Sequence, residues 1–352
     1  MLNRRKLSAS IAALTLTIGL AYTQGCGGGS GSTGPVVTFT EWKVSGAGNV
    51  VGSVPGGVWP DDLAGDTSGN IWLAEHHNDE VGRFSPTGVY TAFPIPTKNG
   101  EADGLAVDSV RGYVYCALTM ANKIERISMT TGVVTEITMP TPGAVPGDLL
   151  IGPDGTIWVS EGYEGGAGST RIAKIDPTTL LVTEYTPPFS RDGTDGMTLL
   201  SNGDMWFVEY ANNAICKFSN GTFTEVVMPR TNVVPTNIAS DSKGNLWITE
   251  QGGNAIARYT PSTGAWKEIT IPTGNAQPSG ICVDKSDNIW FTEYNGNKIG
   301  LIKSGALAAT DYAIPSPNAG AEDIEVAPNG SIIFTEQNTS RVARITVPGV
   351  SP

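Results

Sequence analysis

The sequence predicts an all-β fold: a seven-bladed β-propeller of four-stranded antiparallel blades, its ring closed by the N-terminal strand completing the last blade. Three observations predict it. A strand-patterned unit, clearest in Asn288 to Gly300 (NIWFTEYNGNKIG), returns along most of the chain. Each copy is anchored by a large apolar side chain, at Trp72, Tyr115, Trp158, Trp206, Trp247, Trp290 and Ile333, with spacings of 43, 43, 48, 41, 43 and 43 residues. A period above forty with strand patterning and no helical periodicity marks an array of small sheets. The repeats are also out of phase with the chain ends. The last copy stops after Arg344-Ile345-Thr346-Val347, lacking a closing strand, and Thr38 to Val44 (TFTEWKV) carries that strand at the other end. Donating it closes a ring and removes two open edges that would otherwise invite aggregation.

Within a unit the order of elements follows from local pattern. Gly280-Ile281-Cys282-Val283 typifies the inner strand, the Trp lies on the second, Lys298 to Ile302 forms the third, and the outermost reads like Val134 to Thr138 (VTEIT), Val182 to Tyr185 (VTEY) or Trp266 to Thr270 (WKEIT). Alternation along each run fits half-buried strands, and turns such as Asp241 to Asn245 and Pro328-Asn329-Gly330 use residues that tolerate positive φ. Blade three departs from the pattern. Fourteen residues separate Trp158 from Ile172 where nine separate Trp290 from Ile299, and the excess falls in the glycine-rich loop GYEGGAGST. The composition agrees: of 352 residues, 44 are Gly and 23 Pro, and 39% are hydrophobic, which suits many short strands joined by tight turns. A net charge of -12 excludes nucleic acid phosphates and anionic membrane surfaces as partners and favours basic partners or metal cations.

Ahead of the propeller, expected over residues 37–348, residues 1–25 read as a signal peptide. Arg4, Arg5 and Lys6 precede an apolar run from Leu7 to Tyr22, too short to span a bilayer comfortably. Gly25-Cys26 resembles a bacterial lipobox, with Thr23 where a Leu is usual, so Cys26 is the expected lipidation site and the only membrane link. Residues 26–36 form a Gly/Ser tether. The expected product is an exported monomer, lipid-anchored in the cell envelope or secreted. Cys116, Cys216 and Cys282 fall on different strands of different blades and are expected as buried, unpaired thiols.

Seven units of the form D-x-x-G-N-I-W-F-T-E-x-x-x-N-K-I-G, separated by T-E-Y-x-x-P, resemble the streptogramin B lyase (virginiamycin B lyase) family from Thr38 to Val347. The resemblance implies a propeller that opens a cyclic depsipeptide by metal-assisted elimination, using Mg²⁺ and a general-base histidine at one face. It places histidines in a P-H-G-I context before the inner strands of the last two blades. Here those contexts read Gln277-Pro278-Ser279-Gly280-Ile281 and Ala321-Glu322-Asp323-Ile324, and the chain has no histidine after His77. A base titrating near neutrality is thus missing where that mechanism needs it. Glu336 lies near the family's metal-binding carboxylate in the last blade.

The face that carries the loops into each inner strand is acidic: Asp61 and Asp62, Asp103, Asp148, Asp195, and Glu322 with Asp323, while blades five and six offer Thr236-Asn237 and Ser279-Gly280. Converging carboxylates suit a Ca²⁺ or Mg²⁺ ion, and also suit turn capping between blades. A second column, Glu75, Glu161, Glu209, Glu250, Glu293 and Glu336, broken only by Leu118, recurs too regularly for catalysis and points to structure. His76 and His77 follow Glu75; neighbours on a strand face opposite ways, so at most one of them is expected to face the channel, where it could serve as base or ligand near Asp61 and Asp62. An exposed loop pair is the alternative reading and the favoured one. No G-x-S-x-G elbow, zinc-spaced cluster or phosphate loop occurs. Two classes of function follow. One is an extracytoplasmic binding propeller for a small molecule, peptide or cell-envelope ligand, using Tyr163, Tyr210, Tyr294, His77 and Ser279. The other is a metal-dependent lyase or lactonase-like hydrolase, with metal ligands among Asp61, Asp62, Asp103, Asp148, Asp195, Asp323 and Glu336 and with His76 or Glu322 as base.

Overall fold

The computed structural model describes residues 20–24, 36–44, 58–162, 170–188 and 193–351. Most of the expected leader, the tether with Cys26, and Tyr163 lie outside the described residues. The propeller is as expected: six four-stranded antiparallel sheets built from consecutive strands, and a seventh assembled from both ends of the chain. In blade seven, Val37–Lys43 pairs antiparallel with Arg341–Thr346, from Thr38 opposite Thr346 to Lys43 opposite Arg341. Leu20–Gln24 adds a fifth strand to this blade, paired with the outer side of Val37–Lys43. Five residues at the end of the expected leader and its cleavage region therefore run along the one outer edge that a preceding segment of chain reaches.

The repeated unit explains itself at the turn between inner and second strands. Asp284 accepts the backbone N–H groups of Ser286 and Asn288, the Asn288 side-chain amide and, at 2.9 Å, the indole N–H of Trp290. Asp66 and Asp241 do the same for Trp72 and Trp247. One carboxylate thus caps the turn, satisfies the one polar atom of the buried ring and fixes its rotamer. Blades then pack through these rings and their aliphatic neighbours. Phe39 of the donated strand is fully buried, edge-on to Phe334 at 6.2 Å. Cys116, Cys216 and Cys282 are buried and unpaired, and burial raises all three thiol pKa values.

Adjacent blades are tied at two further places. Asn297, in the left-handed region at φ 54, donates to the carbonyls of Ile314 and Ser316 and accepts from Ala319 N–H at 2.7 Å, clipping the link that leads into the next blade. Asn254 and Asn122 repeat the clip. On the outer strands, the Glu of the T-E motif receives a hydroxyl from the preceding link: Thr97 to Glu136, Thr141 to Glu184, and Ser316 to Glu41. Glu41 belongs to the donated strand, so the ring closes with the same contact that joins the other blades. Phe39→Ala is expected to cost about 3–5 kcal/mol by leaving a cavity in the closing blade. Asp284→Ala should cost about 1–3 kcal/mol by orphaning the Trp290 indole and the turn amides. Urea denaturation midpoints of the two variants measure both.

Candidate functional site

The acidic mouth is produced by a repeated irregularity. In blades one to six the register between inner and second strands slips across two residues, for example between Pro60 and Leu63 and between Pro278 and Ile281. The slipped pairs are Asp61-Asp62, Asp103-Gly104, Gly147-Asp148, Asp195-Gly196, Thr236-Asn237 and Ser279-Gly280. A bulge at a sheet end re-aims side chains, and here it lets neighbours such as Asp61 and Asp62 both line one cavity. That cavity is about 410 Å³. Asp61, Asp62, Asp103, Asp148, Asp195, Glu322 and Asp323 all line it, with Ser279 and Tyr210, and no described lining residue is Lys or Arg.

The second residue of each pair builds a collar. Asp62 accepts from its own Leu63 N–H and from Leu105 N–H of blade two, both at 2.6 Å; Asp148 accepts from Met197 N–H of blade four at 2.7 Å; Asp323 accepts from Leu63 N–H at 3.4 Å. Between these acids stand glycines, and each is needed. A Cβ on Gly104 would lie 2.2 Å from the Gly147 carbonyl oxygen, and one on Gly280 would lie 2.7 Å from that of Glu322. Acid or amide therefore alternates with glycine around the collar until blades seven and one, where Asp323 and Asp62 are neighbours. Burial and the Asp323 charge hold the Asp62 pKa well above the usual carboxylate range, and burial also raises Asp323. Asp148 is pushed up to about 7 by burial. Below the collar the channel continues as a second cavity of about 410 Å³ with mostly aliphatic walls.

The first residue of each pair makes the reactive-looking groups. His76 Nδ1 is 3.4 Å from Asp61 and Nε2 is 3.7 Å from Glu101. Asp103, buried and held by the Thr119 hydroxyl at 3.1 Å, has a pKa well above normal through burial and the neighbouring Asp61. One ligand atom each from Asp61, His76 and Asp103 falls within 4.8 Å of the others. His77 points elsewhere: it stacks on Trp59 at 4.7 Å, and burial together with His76 lowers its pKa. Tyr294 is half-buried beside Glu322 and Asn338, off the cavity lining. Glu336 also lies off the lining, buried against Thr339, Glu41 and Arg341. The mouth also includes Gln251, and Gln337 donates to Asp61 from its rim. These two residues were missed although their position had a signature. The residue just after the Glu column reads His76, Thr119, Gly162, Tyr210, Gln251, Tyr294 and Gln337, varying where its neighbours repeat.

A family model described as the virginiamycin B lyase family matches residues 46–175 and 165–351. The chain belongs to the virginiamycin B lyase family. Among solved structures, virginiamycin B lyase from Staphylococcus aureus is similar at 28% identity, with a TM-score of 0.78 over 88% of this chain and 99% of that one. A streptogramin B lyase structure is similar at 29% identity and TM-score 0.78, over 88% and 97%. So is a catalytically inactive histidine-to-alanine variant of the S. aureus virginiamycin B lyase with quinupristin, at 28% identity, TM-score 0.78, over 88% and 99%. No curated protein matches the chain by sequence. Within the virginiamycin B lyase fold, the two positions where the resemblance implies histidines are occupied by Ser279 and Glu322, and these are joined: the Ser279 hydroxyl donates to the Glu322 carboxylate across the blade six to seven joint. An alcohol tied to a carboxylate does not reproduce an imidazole base, so that corner does not fit the family's elimination chemistry. A divalent cation fits better at the joint of blades one and two, where Asp61, His76 and Asp103 offer hard oxygen donors and one imidazole. Asp148→Ala should cost about 1–3 kcal/mol by stranding the Met197 N–H, and Asp148→Asn, which keeps an acceptor, should cost less; thermal unfolding compares them.

Proposed function

We propose that this propeller is a binding module that takes a small organic cation into its acidic mouth, and that it does not cleave streptogramins. The observation that carries the reading is the lining itself, seven carboxyl groups with Tyr210 and no basic side chain among the described residues. A concave, low-dielectric rim of one sign focuses its field and draws in the opposite charge. Buried carboxyls that hold protons can release them to solvent as an ammonium or guanidinium group arrives, and the cation then supplies the hydrogen-bond donors and the balancing charge. The leader-like segment and Cys26 support action outside the cytoplasm, at the cell envelope or in the medium, and we propose a monomer. The test is thermal unfolding with 1,4-diaminobutane, arginine amide and choline, beside acetate and succinate. The organic cations should raise the Tm, high salt should weaken the effect, and Asp195→Asn should reduce it. Quinupristin incubated with the protein should stay intact. If no cationic probe moves the Tm, the reading fails.

A second reading, a metal-dependent lyase or hydrolase acting on a cyclic ester or peptide, is favoured by the convergence of Asp61, His76 and Asp103. A bound Ca²⁺ or Mg²⁺ would supply a Lewis acid for a substrate carbonyl. Asp61 and Asp103 would hold it, and Glu101 beside Nε2 would orient His76. A Tm that responds to Ca²⁺ or Mg²⁺, reversibly with chelator and not in His76→Ala, would favour this reading over the first.

A further inference from the structure

Six blades end their second strand on a buried glutamate, and blade two ends it on Leu118. Its carboxylate enters by another route. Glu125, fully buried on the third strand, stands where the other blades have Gly82, Ala173, Cys216, Ala257, Gly300 and Ala343. Leu118 pairs with Lys123 and Cys116 with Glu125, so positions 118 and 125 are diagonal neighbours on one face of the sheet. In blade one a Cβ on Gly82 would lie 2.6 Å from Glu75 Oε1, so the glutamate of the second strand fills the space over the third-strand residue. Two exchanges in a single blade, Glu to Leu and small residue to Glu, keep one buried carboxyl in the same compartment. Packing alone would not require the second exchange.

In blades two, three, five and six the compartment also holds a second acid and one base. Glu136, Glu184, Glu268 and Asp311 pair directly across from the third-strand position in blades two, three, five and six. Lys123 lies 3.0 Å from Glu136, Arg171 4.0 Å from Glu161, Arg230 3.5 Å from Glu250, and Lys298 3.5 Å from Asp311. Two acids facing one base carry one uncompensated negative charge when fully ionised; the inner acid is buried while the outer acid and the base reach solvent, so the charge weighs on the inner carboxyl and a single proton there removes it. Both Glu125 oxygens are buried without a hydrogen-bond partner, an arrangement costly for a carboxylate and tolerable for a neutral carboxyl. Glu125 is faced by Glu136 from the outer strand, Lys123 from its own strand and the Cys116 thiol from the second.

We propose that the compartments of blades two, three, five and six each store one proton, and that the propeller consequently loses stability as the surroundings turn alkaline. Burial and repulsion from the outer acid push Glu125, Glu250 and Glu293 up to about 7 and Glu161 to about 8. A carboxyl whose pKa is raised by folding contributes stability that is complete in acid and is lost as the pH climbs through the folded-state value.

Thermal unfolding of the full chain between about pH 5.5 and about pH 8.5 tests this. The unsubstituted protein should lose Tm across that interval. Glu125→Gln, a neutral group of the same shape, should match it at the acid end and exceed it by about 2–4 °C at the alkaline end. Leu118→Glu combined with Glu125→Ala, which returns the carboxyl to the second strand, should restore the full alkaline loss. Glu293→Gln in blade six should give the same crossover independently. An offset for the Gln variants that is constant with pH, or a Gln variant less stable than the parent at the alkaline end, would overturn the proposal.

Discussion

Every blade of this ring must meet its neighbour at the same angle, and that constraint shapes nearly all of the recurring chemistry. A blade on its own is a small sheet with two exposed faces and an open edge, too little to stay folded in water. Stacking seven of them buries those faces, provided each joint is pinned at several radii. The pins are collar acids such as Asp62, Asp148 and Asp323 near the axis, the left-handed Asn254 and Asn297 midway, and outer acids such as Glu184 and Glu41 at the rim. Because the last blade borrows its outer strand from residues 37–43, the ring cannot close until both ends of the chain are present.

The architecture was legible because it repeats. Trp290 and its counterparts, the phase shift that leaves TFTEWKV at the wrong end, and the thiols scattered over separate strands all lead to the same fold the structure describes. The Glu column, read from the sequence as ending each second strand, is buried there in six blades. What the sequence concealed was register. Alternation along Asp61-Asp62 implies one residue in and one out, whereas the slipped pairing brings both to the cavity. Glu336 and Tyr294, plausible by proximity in sequence, lie off the lining. The reach of Glu101 to His76 joins two different blades and leaves no mark along a single strand.

Membership of the virginiamycin B lyase family and the presence of Ser279 and Glu322 where the resemblance implies histidines coexist without conflict, because they concern different residues. The features shared with the family are those that make blades: indole, turn aspartate, clipped asparagine. The mouth is built from the positions between them, which are free to change while the joints stay pinned. Ser279 and Glu322 bonded to each other across a joint are an instance, serving cohesion at a place where the family resemblance puts a base.

Seven is an odd number, and the collar records it. A pattern of acid and glycine taken in turn can run unbroken around six or eight blades; around seven it must fail once, and it fails where Asp323 meets Asp62. The mouth therefore has no rotational symmetry to offer a guest, even though it is assembled from near-copies. A molecule settling there finds one joint with two acids in contact and six joints without. That parity defect gives the ring a fixed compass bearing.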